Sequence, residues 1–194
     1  TKPADCARFL DDARAVGRDP SGRAQRVAAR LLFFRKLEQP RAVRLRLALE
    51  TLGNGNRALP ISIGACKFDK TEIVDRFHVA IDPESAQAHG LEIDASTVLW
   101  WFDPERDEAR RNWLAQERVD LGSALLGFQV WLTGGRQGVS VWGNGATFDN
   151  VILRSAYQAA GLEYPVRFWQ DQCYRTIKNR VPEIELVREG THHN

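Results

Sequence analysis

The sequence has no methionine and only three cysteines in its 194 residues. Cys6, Cys66 and Cys173 are odd in number, far apart and outside any CxxC or Cys/His metal spacing. That pattern excludes a disulfide scaffold and a zinc ribbon. It fits reduced thiols packed as small apolar groups in a cytoplasmic protein. No apolar run approaches the ~18 residues of a membrane span, and no signal-peptide pattern stands at the start, so no membrane partner is expected. Removal of an initiator Met, or trimming, accounts for a chain that begins at Thr1. Internal repeats and low-complexity tracts are also missing. Strong net charge is lacking as well: the total is +2. It conceals an asymmetry. Residues 1–44 carry eleven Lys/Arg against five Asp/Glu, while the remainder carries sixteen against twenty. The front is basic and the body mildly acidic, and overall charge alone does not indicate a nucleic-acid binder.

What is present suits one domain with an appendage. Residues 1–40 read as a basic helical hairpin. One helix runs over about Ala4–Val16, ended by Gly17 and Asp19-Pro20. A second runs from Ser21 to about Leu37, with Arg23, Arg26 and Arg30 in a stripe and Pro40 closing it. The stripe is either a solvated face or a surface for nucleic acid or a partner chain.

Residues 41–194 form the second unit. Val43–Leu49, Pro60–Phe68 and Glu72–Ile81 read as strands joined by short turns, an antiparallel meander. Gly53-Asn54-Gly55 is a turn and not a phosphate loop, since no Lys-Ser/Thr and no helix follow. Helices are expected over Asp94–Phe102, Pro104–Gln116 and Leu121–Thr133. Gly138–Gly143 is a fourth strand, leading through a glycine-rich junction into a helix that ends at Gly161. Val166–Trp169 is a short fifth strand, and a last helix starts at Asp171 or Gln172. A meander joined to later β–α units is an α/β fold: a mixed five-stranded sheet flanked by helices, with an N-terminal helical extension. In such sheets function gathers at the ends of the central strands.

Three residues point toward one place. Glu50 stands at the end of the first strand, Asp149 just past the fourth, and His193 near the C-terminus. If the first and fourth strands are neighbours, the two carboxylates approach closely, repel, and raise each other's pKa unless a cation is present. Hard divalent cations with oxygen ligands relieve that repulsion. A histidine beside them can take a proton from attacking water at neutral pH. Each residue also has a plainer reading: a solvated strand-end Glu, a helix-capping Asp, a tail histidine.

The motifs narrow this. Ala48-Leu49-Glu50-Thr51-Leu52-Gly53 resembles the first motif of the DnaQ-like DEDDh 3′–5′ exonucleases, which have an Asp-x-Glu-Thr core, and Pro60–Ala65 resembles the strand that follows it. Trp142–Asp149 is similar to the motif around their third carboxylate, and Gly190–Asn194 to the start of the last, in which a His precedes an Asp. Ser96–Trp101 and Asp171–Thr176 are similar to the phage and bacterial exoribonuclease-like branch. The resemblance covers about 43–194. It implies an RNase H-like fold, hydrolysis with two divalent cations (Mg²⁺ or Mn²⁺), and a single-stranded or overhanging nucleic-acid 3′ end as partner. It implies that Glu50 and Asp149 are metal ligands and His193 the general base. Thr51, Leu52 and Gly53 would hold the terminal nucleotide, with Trp101, Asn144 and Phe148 as walls. The sequence departs from the family at Ala48, where the resemblance calls for Asp, and the last Asp of the family falls past Asn194. An engineered Asp→Ala change accounts for Ala48 first and natural decay second. Weak metal binding and little activity are expected of the chain as written. The alternatives are a catalytically dead module that binds nucleic acid or protein, and an assembly component that pairs or self-associates through residues 1–40.

Overall fold

The computed structural model describes residues 44–69, 72–134, 139–145 and 147–180. The chain divides into two units, Thr1–Arg41 and Ala42–Asn194, and every described residue lies in the second. The expected 1–40 hairpin and His193 lie outside the described residues.

The sequence alternation Arg44-Leu45-Arg46-Leu47-Ala48-Leu49-Glu50-Thr51 builds β1 (Arg44–Thr51). Successive side chains of a strand point to opposite faces. Leu45, Leu47 and Leu49 therefore enter the core, while Arg46 and Ala48 are exposed on the other face and Glu50 is half-buried there. β2 (Pro60–Phe68) and β3 (Ile73–Ile81) continue an antiparallel meander from β1. β4 is the pair Arg118–Val119, β5 is Ser140–Gly143 and β6 is Asp171–Cys173. The order across the sheet is β4-β3-β2-β1-β5-β6, with β4, β5 and β6 each parallel to the strand they join.

The mixed sheet thus has six strands where five were expected. β4 is too short to leave a periodic signal. The last strand also moves. Phe168–Gln170 is a 3₁₀ turn, Asp171–Cys173 is the strand, and the final described helix begins at Tyr174. The exposed Phe168 and Trp169 have an apolar pattern without a core to face.

Six α-helices are described: α1 (Pro83–Ala88), α2 (Ala95–Trp101), α3 (Asp107–Leu114), α4 (Leu121–Thr133), α5 (Asp149–Ala159) and α6 (Tyr174–Lys178). Asp82, Asp94 and Asp120 cap α1, α2 and α4 by accepting backbone N–H bonds from the first turn. One core joins the leucines of β1 to Ile61 and Ile63 of β2, to Leu121, Leu125 and Phe128 of α4, and to Ile152, Leu153 and Tyr157 of α5. The Tyr157 hydroxyl, fully buried, donates to the Leu125 carbonyl at 2.6 Å and ties α5 to α4.

Candidate active site

The site follows from unequal strand lengths. β1 pairs with β5 only as far as Arg46 opposite Trp142, then runs on to Thr51. Beyond that pairing the Leu49 N–H has no β5 partner and donates instead to Asp149 Oδ1 at 3.1 Å. The Asn144 N–H donates to Asp149 Oδ2 at 2.8 Å. Asp149 is the first residue of α5 and is buried. Two backbone donors offset part of what its burial costs. Burial pushes its carboxyl above the ordinary aspartate range. The bonds from Asn144 and Leu49, and the positive charge of Arg46, act in the opposite direction.

Glu50 comes to the same rim from β1. Burial first, and then the Asp149 carboxylate, push its carboxyl up to about 7. The strand-end Glu and the helix-start Asp, far apart in sequence, are thus electrostatic neighbours. β1 is irregular between Glu50 and Thr51 in its pairing with β2. Extra twist of this kind redirects side chains at a sheet rim.

Close packing at two glycines makes this possible. A Cβ on Gly143 would stand 2.5 Å from Asn150 Oδ1 and 3.3 Å from Asp149 Oδ2, so a side chain there would displace the Asn150 amide and crowd the Asp149 carboxylate. A Cβ on Gly53 would stand 2.7 Å from the Glu92 carbonyl oxygen. Behind the first turn of α5, Asn150 Nδ2 donates to the Val141 carbonyl at 3.3 Å and to Asp171 Oδ1 at 3.1 Å. The Arg154 guanidinium donates to Asp171 Oδ2 at 2.5 Å. This network ties α5 to β5 and β6 beside Asp149.

The remaining expected residues divide into two groups. Thr51 is buried, with its hydroxyl donating to the Gly53 carbonyl at 2.6 Å. Leu52 is half-buried, and both its backbone groups are used: its N–H donates to the Leu59 carbonyl, and its carbonyl accepts from the Asp94 N–H, each at 2.8 Å. Phe148 and Asn144 are half-buried at the start of α5, beside Asp149. Trp101 is 7% exposed, and its indole N–H donates to the Thr51 carbonyl at 2.8 Å. It supports the strand end from within the core. The bond to the Thr51 carbonyl and the Asn150–Asp171–Arg154 network were missed in the sequence. Nothing in local spacing links residues that far apart. Asp171 does stand inside the Asp171–Thr176 motif, which is the available signal.

Ala48 is exposed on the Glu50 face of β1 and offers a methyl group at the position where the resemblance calls for Asp. Among the described residues no group of three or more His, Cys, Asp and Glu could hold a metal ion. The carboxylates brought together here, Glu50 and Asp149, suit a hard cation chemically, but they fall short of the ligands that two ions need. The described residues do not fit a two-ion centre.

A family model described as a 3′-5′ exoribonuclease Rv2179c-like domain matches residues 43–194. No curated protein sequence matches the chain. Among solved structures, apo exonuclease I is similar at a TM-score of 0.54 and 13% identity, over 73% of this chain and 31% of that one. E. coli exonuclease I in complex with a dA16 oligonucleotide is similar at 0.52 and 13% identity, over 73% of this chain and 30% of that one. The chain therefore spans about a third of the length of these structures, and at this identity the likeness is one of fold. Family match and fold together bear out the DnaQ-like exonuclease superfamily and an RNase H-like architecture.

Proposed function

The chain belongs to the 3′-5′ exoribonuclease Rv2179c-like domain family, and from that premise we propose that it is a 3′–5′ exonuclease acting on phosphodiester bonds at nucleic-acid 3′ ends. The observation that supports this best is the meeting of Glu50 and Asp149 at the rim of the central β1–β5 pair. In this reading Glu50 and Asp149 are the metal-facing acids of the site. His193 takes a proton from the attacking water. Leu52 wedges against the terminal base, and the main chain of Thr51 and Gly53 borders that nucleotide. Asn144 and Phe148 line the side next to Asp149. Residues 1–40 hold the backbone of a longer strand, or pair with a partner chain. The missing carboxylate at position 48 leaves the chain with weak cation binding and little turnover.

The test is Ala48→Asp, incubated with 5′-labelled single-stranded RNA or DNA and Mg²⁺ or Mn²⁺. Groups that only orient metal ligands are worth ~10–100-fold, so a restored ligand is expected to raise turnover by at least ~10²-fold. A ladder of 5′-labelled products shortened from the 3′ end is the expected result. His193→Ala in that background should slow cleavage ~10²–10⁴-fold; unchanged cleavage removes His193 from the mechanism.

A second reading keeps the fold and dispenses with hydrolysis. The exposed methyl of Ala48 favours it. A module of this kind would grasp 3′ ends without cutting them. Absence of cleavage by Ala48→Asp on either strand with either metal, with strand binding retained, would decide for it.

A further inference from the structure

Arg46 stands on β1 on the same outward face as Ala48 and Glu50, and it is exposed. Its guanidinium lies over the ring of Tyr174, 4.9 Å from the centroid. Its positive charge also reaches Asp149. Arg175, the next residue after Tyr174, is exposed too. Its guanidinium comes within 3.9 Å of the point where a Cβ on Gly145 would sit, against the junction that carries Asp149. Among the described residues neither arginine forms a salt bridge.

We propose that Arg46 and Arg175 form a clasp for a substrate phosphodiester beside the Glu50–Asp149 pair. The inference rests on the exonuclease reading of that pair and deepens it by naming what holds the strand. A phosphodiester entering beside these two acids meets charge of its own sign whenever they are ionised. Two flanking cations offset that repulsion from the protein side, and they do so whether or not position 48 carries a ligand. Arginine suits the task better than lysine. Its flat fork can stack on a ring and still present N–H edges to two phosphate oxygens. Tyr174 supplies the ring, so Arg46 enters binding with part of its freedom already removed.

The chain with Ala48 is itself the proper reagent, because slow turnover lets binding be read alone. A 5′-labelled single strand with a free 3′ end is titrated by fluorescence anisotropy with chelator present, over a series of salt concentrations. Each phosphate contact on a single strand contributes about 0.7 to the slope of log affinity against log salt. Arg46→Gln and Arg175→Gln are each expected to weaken binding roughly tenfold and to lower that slope by about 0.7. Arg111→Gln on α3 makes the same charge change on an exposed residue remote from the clasp in sequence and should keep the parent slope. A parent-like slope in Arg46→Gln or in Arg175→Gln overturns the assignment of that residue while leaving the exonuclease reading intact. Failure of the parent chain to bind any strand with a free 3′ end, at any salt, overturns the clasp, while cleavage by Ala48→Asp with Mg²⁺ or Mn²⁺ decides the exonuclease reading separately.

Discussion

Glu50 and Asp149 are both pushed toward the protonated form by burial, but they are held differently. Ionised Glu50 is disfavoured in the folded chain relative to the unfolded one. Its carboxyl moves from 4.5 to about 7, so the folded state holds a proton that the unfolded state has released across that range. The associated stability is fully present below about pH 4.5 and is lost as pH rises through about 7. Glu50→Gln keeps the shape and removes the charge. It is expected to be more stable than the parent at pH 8 by about 3 kcal/mol, with the difference vanishing near pH 4. Urea melts of both proteins across pH check this, and parallel curves would refute it. Gly143 is a second lever at this scale. Gly143→Ala puts a methyl into space already taken by Asn150 and Asp149. Overpacking of this kind costs about 1–3 kcal/mol. Strand binding should fall with stability, because the groups crowded are the Asn150 amide and the Asp149 carboxylate.

Among the elements, α2 serves the site at one remove. Its Asp94 cap donates a backbone N–H to the Leu52 carbonyl, and its Trp101 donates to the Thr51 carbonyl. The two bonds fix consecutive carbonyls at the end of β1. Trp101→Phe keeps most of the buried area and removes one donor, leaving a buried carbonyl unpaired at a cost of about 1–3 kcal/mol. Faster hydrogen exchange is expected around Thr51 and Leu52, with the amides of α4 and α5 changed no more than global stability requires. The elements also show where sequence pattern succeeds. Strands β1 to β3 are legible because their alternation or apolar runs are long and their turns short. β4 and β6 are not, since two or three residues cannot display a period. Phe168 and Trp169 mimic a strand, yet their place is on the surface.

At the scale of the whole molecule, the motif order in the sequence already carried the fold and the family. Chain order alone could not supply the adjacency of β1 and β5, on which the meeting of Glu50 with Asp149 depends. Nor could it supply the backbone amides that hold Asp149, since those donors have no side-chain identity. The irregular pairing at Glu50/Thr51 belongs with them: a one-residue slip leaves no mark in composition. Ala48 is the opposite case. Nothing in its packing distinguishes it, and only comparison with the motif gives its methyl group meaning.

The two amide bonds to Asp149 have a mechanical consequence. They bolt one jaw of the site to the sheet before anything enters. No hydrogen bond holds the Glu50 carboxylate among the described residues. Among the described residues Asp149 alone is fixed this way, so ordering on entry of a guest falls more on Glu50 than on Asp149. In the proposed site, a rim with one fixed acid and one less constrained acid would adapt to guests of slightly different width more readily than a cage held rigid on every side.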